Sequence, residues 1–394
     1  MANIRDVARR AGVAAGTVSN VLNRPSYVRA ETRQKVLDAI QELDFVPRGA
    51  SRQYRLGRER TLGFALADMG NPFFVDVALG AEAAAKELGV GVVIVHNGED
   101  PSREEQNLDL LVQQRVHGIM ITPVDERNPR LEQLVKRGIP VVYVDRISGD
   151  QPCCWLATDD FRGGQLAGEH LIDMGHTRLA FVGDPAIARQ VQERQRGFLE
   201  AVSVAGLPMS AVELIPAPAW KIKEGRVVGV ALAARASEDR PTAVFCANDM
   251  LALGLLQELV LHGVRVPEDI ALVGFDDLEW AGVATVPLTS VNQPRELLGR
   301  TAVRMILDEI DQGEAHVHEH VIFPPELAVR ASTAGVLVDR HPGSGRRGPF
   351  DGVDHPFDLP TLSEVGRDRG VGDDAVDKAT HLKDLQFVQA DVDA

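Results

Sequence analysis

The hydrophobic positions of this chain change their spacing partway along. Up to residue 45 they recur at helical intervals. Ile4, Val7, Ala8 and Ala11 share one face of a predicted helix over Ile4–Ala11, and Gly12 follows as a stop signal. Val18, Val21 and Leu22 fall on one side of a second, over Ala15–Leu22. Val36, Leu37, Ile40 and Leu43 mark a third, over Ala30–Leu43, with Glu31 in its first turn. Short helix, Gly-containing turn, short helix is the helix-turn-helix plan. From Thr61 onward the texture is different: short apolar runs alternate with helical patterns. Strand-like runs fall at Thr61–Ala67, Val90–Val95, Gly118–Thr122, Pro140–Val144, Leu179–Gly183, Val212–Ile215, Ala243–Ala247 and Ile270–Phe275. Helical stretches separate them, at Val75–Leu88, Arg103–Gln114, Asn128–Lys136, Arg162–Met174, Gln190–Ala205, Glu224–Arg235, Asp249–His262 and Arg295–Gln312. Such alternation predicts a parallel sheet covered on both faces, an α/β fold. About 270 residues is too long for one such sheet. Two similar α/β halves are expected, with a ligand cleft at the carboxyl ends of their strands.

Two further segments break the pattern. Residues 46–60 carry five arginines (Arg48, Arg52, Arg55, Arg58, Arg60) and no apolar stripe, so they read as a linker. Residues 336–394 are rich in Gly, Pro and acidic side chains, a composition expected to stay disordered. The organisation expected is therefore a head (1–45), a hinge (46–60), a two-lobed body (61–335) and a tail.

Charge sharpens this division. The chain has 394 residues, and 42 Lys/Arg against 57 Asp/Glu give a net charge of −15. Residues 1–60 alone hold 12 basic and 6 acidic side chains, a net +6 that leaves −21 for the remainder. A protein that coats nucleic acid all over is excluded; a basic nucleic-acid module on an acidic body is implied. No secretory signal pattern and no run of about 18 apolar residues is visible, so no membrane partner is expected. Three cysteines (Cys153, Cys154, Cys246) fit a reducing, cytoplasmic location and read as small buried hydrophobes.

Enzyme signatures are missing. There is no Gly-rich phosphate loop, no Gly-x-Ser-x-Gly elbow and no Cys/His metal spacing, so no catalytic or metal residue and no cofactor is assigned. His316-Val317-His318-Glu319-His320 formally matches a His-x-x-Glu-His zinc motif, which needs a helix. The segment leads into Val321–Pro325 and reads instead as an edge strand with an exposed histidine face.

The chain resembles the LacI/GalR transcription regulators over residues 2–333. The motifs are Ile4–Ala8, Gly12-Val13, Thr17–Asn23, Glu31–Arg33 and Val46-Pro47. In the body they are Asn71–Phe74, Val144–Arg146, Gly175-His176, Ala247–Asp249 with Ala252–Gly254, Val273–Asp277 and Val291–Pro294. The resemblance implies a helix-turn-helix head, a hinge helix formed on DNA, and two Rossmann-like lobes of the kind found in periplasmic sugar-binding proteins.

In that frame the second helix enters the major groove by its N-terminal end, here Ala15, Gly16 and Thr17. Thr17 and Ser19 can reach phosphates or base edges, and Asn20 can pair bidentately with adenine. Ala15 and Gly16 are small where larger readers are usual in the family, and Ala14 replaces a usual serine cap, a loss of about 1 kcal/mol. Asn23, Tyr27, Arg29 and Thr32 match backbone-contacting positions, which set register rather than sequence. In the hinge, Arg48 and Arg52 suit phosphate or minor-groove contacts. Tyr54 stands where the family wedges a leucine between base pairs.

For the cleft, the resemblance places Asn71 and Phe73 at the first-lobe lip, Arg146 after the fourth strand, Arg194 and Trp220 on the second lobe, Asp249 after the strand Ala243–Ala247, and Gln293 near a crossover. Asp160 stands where asparagine is common. Carboxylates and guanidinium groups suit vicinal hydroxyls, and an aromatic face suits a sugar's C–H surface. Asp249 and Arg146 read either as ligand contacts or as partners in an interlobe ion pair, and Trp220 as ligand contact or core. The function implied is a homodimeric repressor on a near-palindromic double-stranded DNA operator, controlled by a small effector, a sugar or sugar derivative. Co-repression or activation is the alternative sign.

Overall fold

Asn3 opens the first helix with a capping box. Its side chain accepts from the Arg5 and Asp6 N–H groups, and the Asp6 carboxylate accepts from the Asn3 N–H. The helix α1 (Ile4–Ala11) ends at Gly12 with φ 68°, a left-handed cap that suits glycine. Helices α2 (Ala15–Asn23) and α3 (Ala30–Glu42) complete the head. Its core is Val7, Ala8, Val18, Val21, Val36 and Ala39. Leu37, expected inside, is exposed, and Ala39 takes the inward position. The computed structural model describes residues 3–23, 27–43, 60–125, 128–148, 152–186 and 188–334. The hinge expected at 46–60 lies outside them except for Arg60, and the tail at 336–394 lies outside them entirely.

The body holds two six-stranded sheets. The first has the order β11-β5-β4-β3-β1-β2 and is parallel throughout. Its strands are β1 (Thr61–Leu66), β2 (Gly91–His96), β3 (Gly118–Ile121), β4 (Val141–Val144), β5 (Cys154–Thr158) and β11 (His320–Phe323). The second has the order β12-β10-β9-β8-β6-β7, parallel except for the edge pair β10–β12. It comprises β6 (Leu179–Val182), β7 (Val212–Ile215), β8 (Ala243–Cys246), β9 (Ala271–Asp276), β10 (Thr289–Asn292) and β12 (Glu326–Ala328). Buried apolar runs such as Val141–Val144 and Ala243–Cys246 are what a parallel sheet covered on both faces requires. Eight of these strands match predicted runs within a residue or so; β5, β10 and β12 were not read.

The chain crosses between lobes three times, at 158–160, 292–295 and 323–326. Helices α4 (Pro72–Glu87), α5 (Pro101–Gln113), α6 (Pro129–Lys136) and α12 (Arg295–Gln312) serve the first lobe. In the second are α7 (Asp160–Asp173), α8 (Arg189–Val204), α9 (Ile222–Ala233), α10 (Asp249–Leu261), the short α11 (Glu279–Val283) and α13 (Ala331–Ala334). Three helix pairs cross on reciprocal glycines: Gly80 with Gly299, Gly164 with Gly197, and Gly225 with Gly254. A Cβ at Gly299 would meet the Val77 carbonyl at 1.9 Å, and one at Gly197 the Phe161 carbonyl at 1.9 Å. These contacts bring whole helices close enough to fix the lobe surfaces that frame the cleft.

Candidate functional site

Two surfaces carry the predicted residues. On the head, Ala15, Gly16 and Asn20 are exposed and Thr17 and Ser19 half-buried. Val18 and Val21 anchor the opposite side of the same helix in the core. The Ala14 carbonyl receives the Thr17 and Val18 N–H groups, so α2 starts without a side-chain cap from residue 14. Nothing lies within 4 Å of a Cβ built on Gly16, which leaves the first turn open for close approach to another surface. Tyr27 is 85% exposed, and Arg29 and Thr32 begin α3 beside it. Arg48, Arg52 and Tyr54, and the side chain of Asn23, lie outside the described residues.

The cleft is built at the carboxyl ends of the strands. Arg194, on α8, is its organiser and is only 2% exposed. Its Nε donates to Asp160 at 2.8 Å, its Nη1 to the Ala247 carbonyl at 2.7 Å, and Asp276 lies 4.0 Å away. The guanidinium sits 3.6 Å above the Phe275 ring centre, a cation–π contact. Asp160, the departure from asparagine, is thus half of a buried ion pair. Burial pushes its carboxyl up to about 7 against the pull of Arg194, and the Asp276 carboxyl up to about 6. Gln293 donates to Asp276 at 2.7 Å. Across the cleft, Arg146 donates to the Asp145 carboxylate at 2.9 Å, and Gln190 reaches the Asp145 carbonyl from the second lobe at 2.5 Å.

Beside this network is a cavity of about 150 Å³ whose lining includes Asp145, Arg146, Thr158, Asp160, Arg189 and Gln190. Asp145 Oδ1, Thr158 Oγ1 and Gln190 Oε1 point into buried space with no hydrogen-bond partner, as does Gln293 Oε1. Buried polar atoms left unsatisfied are costly, so a cleft that holds several is arranged for a molecule that supplies the missing bonds.

Four predicted contacts have other structural roles. Both oxygens of the fully buried Asp249 are engaged: one accepts from the Leu278 N–H at 2.8 Å, the other from the Ser290 hydroxyl at 2.6 Å. Gly274 makes room for it, since a Cβ there would lie 2.1 Å from Asp249 Oδ1. Asp249 therefore ties α10 to the loop after β9 and to β10. Asn71 caps α4 by accepting from the Phe73 N–H at 3.0 Å, and Phe73 is buried in the first-lobe core against Phe74. Trp220 packs on the second-lobe core, and its carbonyl accepts from Asn248 at 3.2 Å.

The sequence assigns no site role to Asp145 or Asp276; Gln190, at a strand-end loop, reads from sequence as a ligand contact or a solvated surface position, and the structure buries it. A signal for the two aspartates was present. Asp145 directly follows β4 and Asp276 closes β9, and in the structure each has a positive φ, 58° and 108°, a strained geometry that clusters at functional sites.

Both the head and the body match known protein families. Residues 3–48 match the model of bacterial regulatory proteins of the lacI family, and residues 169–333 that of the periplasmic binding protein-like domain. The HTH-type transcriptional repressor PurR of Vibrio parahaemolyticus is 33% identical over 333 residues, 84% of this chain and 98% of that protein. The chain belongs to the LacI family. Two solved members of similar build are the Lac repressor dimer bound to operator and the anti-inducer ONPF, and the transcriptional regulator CelR in complex with cellobiose. The first has a TM-score of 0.69 and 27% identity, covering 84% of this chain and 99% of that one. The second has a TM-score of 0.62 and 32% identity, covering 84% and 100%. Family membership thus extends over head and body alike, whereas the tail falls beyond the matched residues.

Proposed function

We propose that this protein is a homodimeric transcriptional repressor that binds a near-palindromic double-stranded DNA operator through α2 and answers to a small polar effector in the cleft. The observation that carries this reading is the pairing of one exposed, small-residue helix N-terminus on a basic head with a body whose cleft holds unsatisfied polar atoms. The near full-length match to repressors supports it. Dimerisation is supported by apolar side chains left exposed on the paired helices α9 and α10, Val227, Val230 and Leu261. Two heads on a two-fold axis then require two half-sites.

The effector proposed is a sugar or sugar derivative of about one ring. A space of about 150 Å³ is below the ~300 Å³ at which pockets begin to take drug-sized ligands. The orphaned atoms Asp145 Oδ1, Gln190 Oε1 and Gln293 Oε1 are acceptors, which hydroxyl donors satisfy. Bound ligand acts by favouring one lobe arrangement over the other, and operator affinity shifts by the same coupling.

Capture of fragmented genomic DNA on the purified protein, followed by sequencing and elution with a panel of sugars, tests the reading. A few palindromic sites released, or held more tightly, by one compound would establish operator, effector and sign together. Diffuse retention that vanishes with moderate salt and ignores every compound would overturn it.

A further inference from the structure

Away from the cleft, at the amino end of the first-lobe sheet, four side chains with metal-binding atoms converge. Cys154 opens β5 and is fully buried. Glu309 lies near the end of α12, and His316 and His318 lie on the segment that leads from it into β11. One donor atom from each of the four lies within 4.8 Å of all the others. Cys154 Sγ is 3.1 Å from His316 Nε2 and 3.7 Å from His318 Nδ1. Donors at Zn–S and Zn–N distances in a tetrahedral site stand about 3.3–3.8 Å apart. The Glu319 N–H donates to the same sulfur at 3.3 Å.

The expected exposed histidine face is thus corrected for two of its three members. His316 and His318 are half-buried toward Cys154, while His320 stacks on Trp155 at 4.7 Å. Their partner lies more than 160 residues away in sequence, which hid it from any local motif. No ion pair holds Glu309 among the described residues, and its Oε2 is buried without a hydrogen bond, as is His316 Nδ1. The Glu309 carboxyl shares a hydrogen bond with the Cys154 thiol, so a carboxyl, a thiol and two imidazoles are gathered in partial burial, and among the described residues none of them is ion-paired with a Lys or Arg.

We propose that Cys154, Glu309, His316 and His318 form a binding site for a divalent transition-metal ion of the Zn2+ type. On binding, the Cys154 thiol loses its proton to solvent as the sulfur–metal bond forms; Glu309 enters as a carboxylate and both histidines as neutral rings. One sulfur, two nitrogens and one oxygen make a borderline-soft set that suits Zn2+ and excludes Mg2+ and Ca2+. The ion would clamp the end of α12 to β5 and to the strand that crosses between lobes. Arg60, the first described residue of the body, pairs with Asp311 two positions beyond Glu309, so the clamp sits where the body leads toward the head.

The test uses the full chain, dialysed against a chelator and titrated with Zn2+ and with Co2+. Expected are one ion per chain, a rise in Tm with Zn2+, and a thiolate-to-Co2+ charge-transfer band. Cys154→Ser should abolish the band. His318→Gln, nearer the surface and safer for folding, should weaken Zn2+ binding by more than about 100-fold. His320→Gln, outside the cluster, should change neither. No charge-transfer band in the folded wild-type chain, or equal binding by H318Q and wild type, would overturn the proposal.

Discussion

The head and the cleft solve recognition in opposite ways. The residues proposed to read DNA bases occupy one short stretch, 15–20, on a single helix whose other side is anchored by Val18 and Val21. The cleft residues come from the ends of β4, β5 and β9, from α7 and α8, and from a crossover, and nearly all of them are buried. On that stretch Ala15, Gly16 and Asn20 are exposed, outside the head core. In the cleft Arg194 holds Asp160 and the Ala247 carbonyl, Gln293 holds Asp276, and Gln190 holds Asp145. Reading a long polymer needs an adaptable surface; enclosing a small molecule needs partners that fix one another.

The largest expected effect breaks that coupling. Arg194→Ala leaves Asp160 and Asp276 buried without their cation and should cost about 3–5 kcal/mol of body stability, read by urea unfolding, together with loss of effector response. Normal stability would show the cleft network to be dispensable. On the head, Asn20→Ala should weaken operator binding by about 1–3 kcal/mol and leave effector affinity and the body's unfolding midpoint unchanged. A shift in that midpoint would erase the contrast between the two regions. Ala14→Ser supplies the missing cap and should stabilise the head by about 1 kcal/mol, seen by thermal unfolding of a head fragment against its parent.

The subtlest effect is pH-dependent. Asp160 and Asp276 are raised above the ordinary carboxylate range, to about 7 and about 6, so the folded body binds more protons than the unfolded chain between pH 4 and 7. Body stability should therefore fall as pH rises through that window and level off above it. Asp160→Asn should flatten the slope. A slope equal to that of the wild type would remove Asp160 from the account.

The head was almost wholly legible because each helix announces itself by local periodicity, and the first also by its Gly12 stop. Most body strands were legible as apolar runs. Strand β10 was not, because Thr289 and Ser290 are polar yet fully buried, their hydroxyls satisfied by Thr333 and the Arg330 carbonyl and by Asp249 respectively. Strand β5 escaped because it follows β4 with no helix between them, which breaks the alternation that revealed the others. In the cleft, Arg146, Asp160, Arg194 and Gln293 converge as the resemblance implied. Asp249 follows a strand just as Asp145 and Asp276 do, and only the fold shows which of the three carboxyls have both oxygens engaged by the protein itself. Spacing along the chain carries no record of that partnership.

The three crossovers also have a bearing on biosynthesis. The first lobe begins at Thr61 but lacks α12 and β11 until Phe323 has been made, whereas most of the second lobe is encoded in one unbroken stretch, from Asp160 to Asn292, between β5 and α12. At roughly 5–20 residues per second, translation leaves the first lobe incomplete for tens of seconds. Through that interval α4 has no partner for Gly80, and an apolar helix face and a sheet surface stand open on the ribosome. Once Asn292 has been made the second lobe lacks only its edge strand β12 and the short α13, so the first lobe, begun at Thr61, waits longest for its missing elements, and it is the nascent first lobe that chaperones would be expected to shelter.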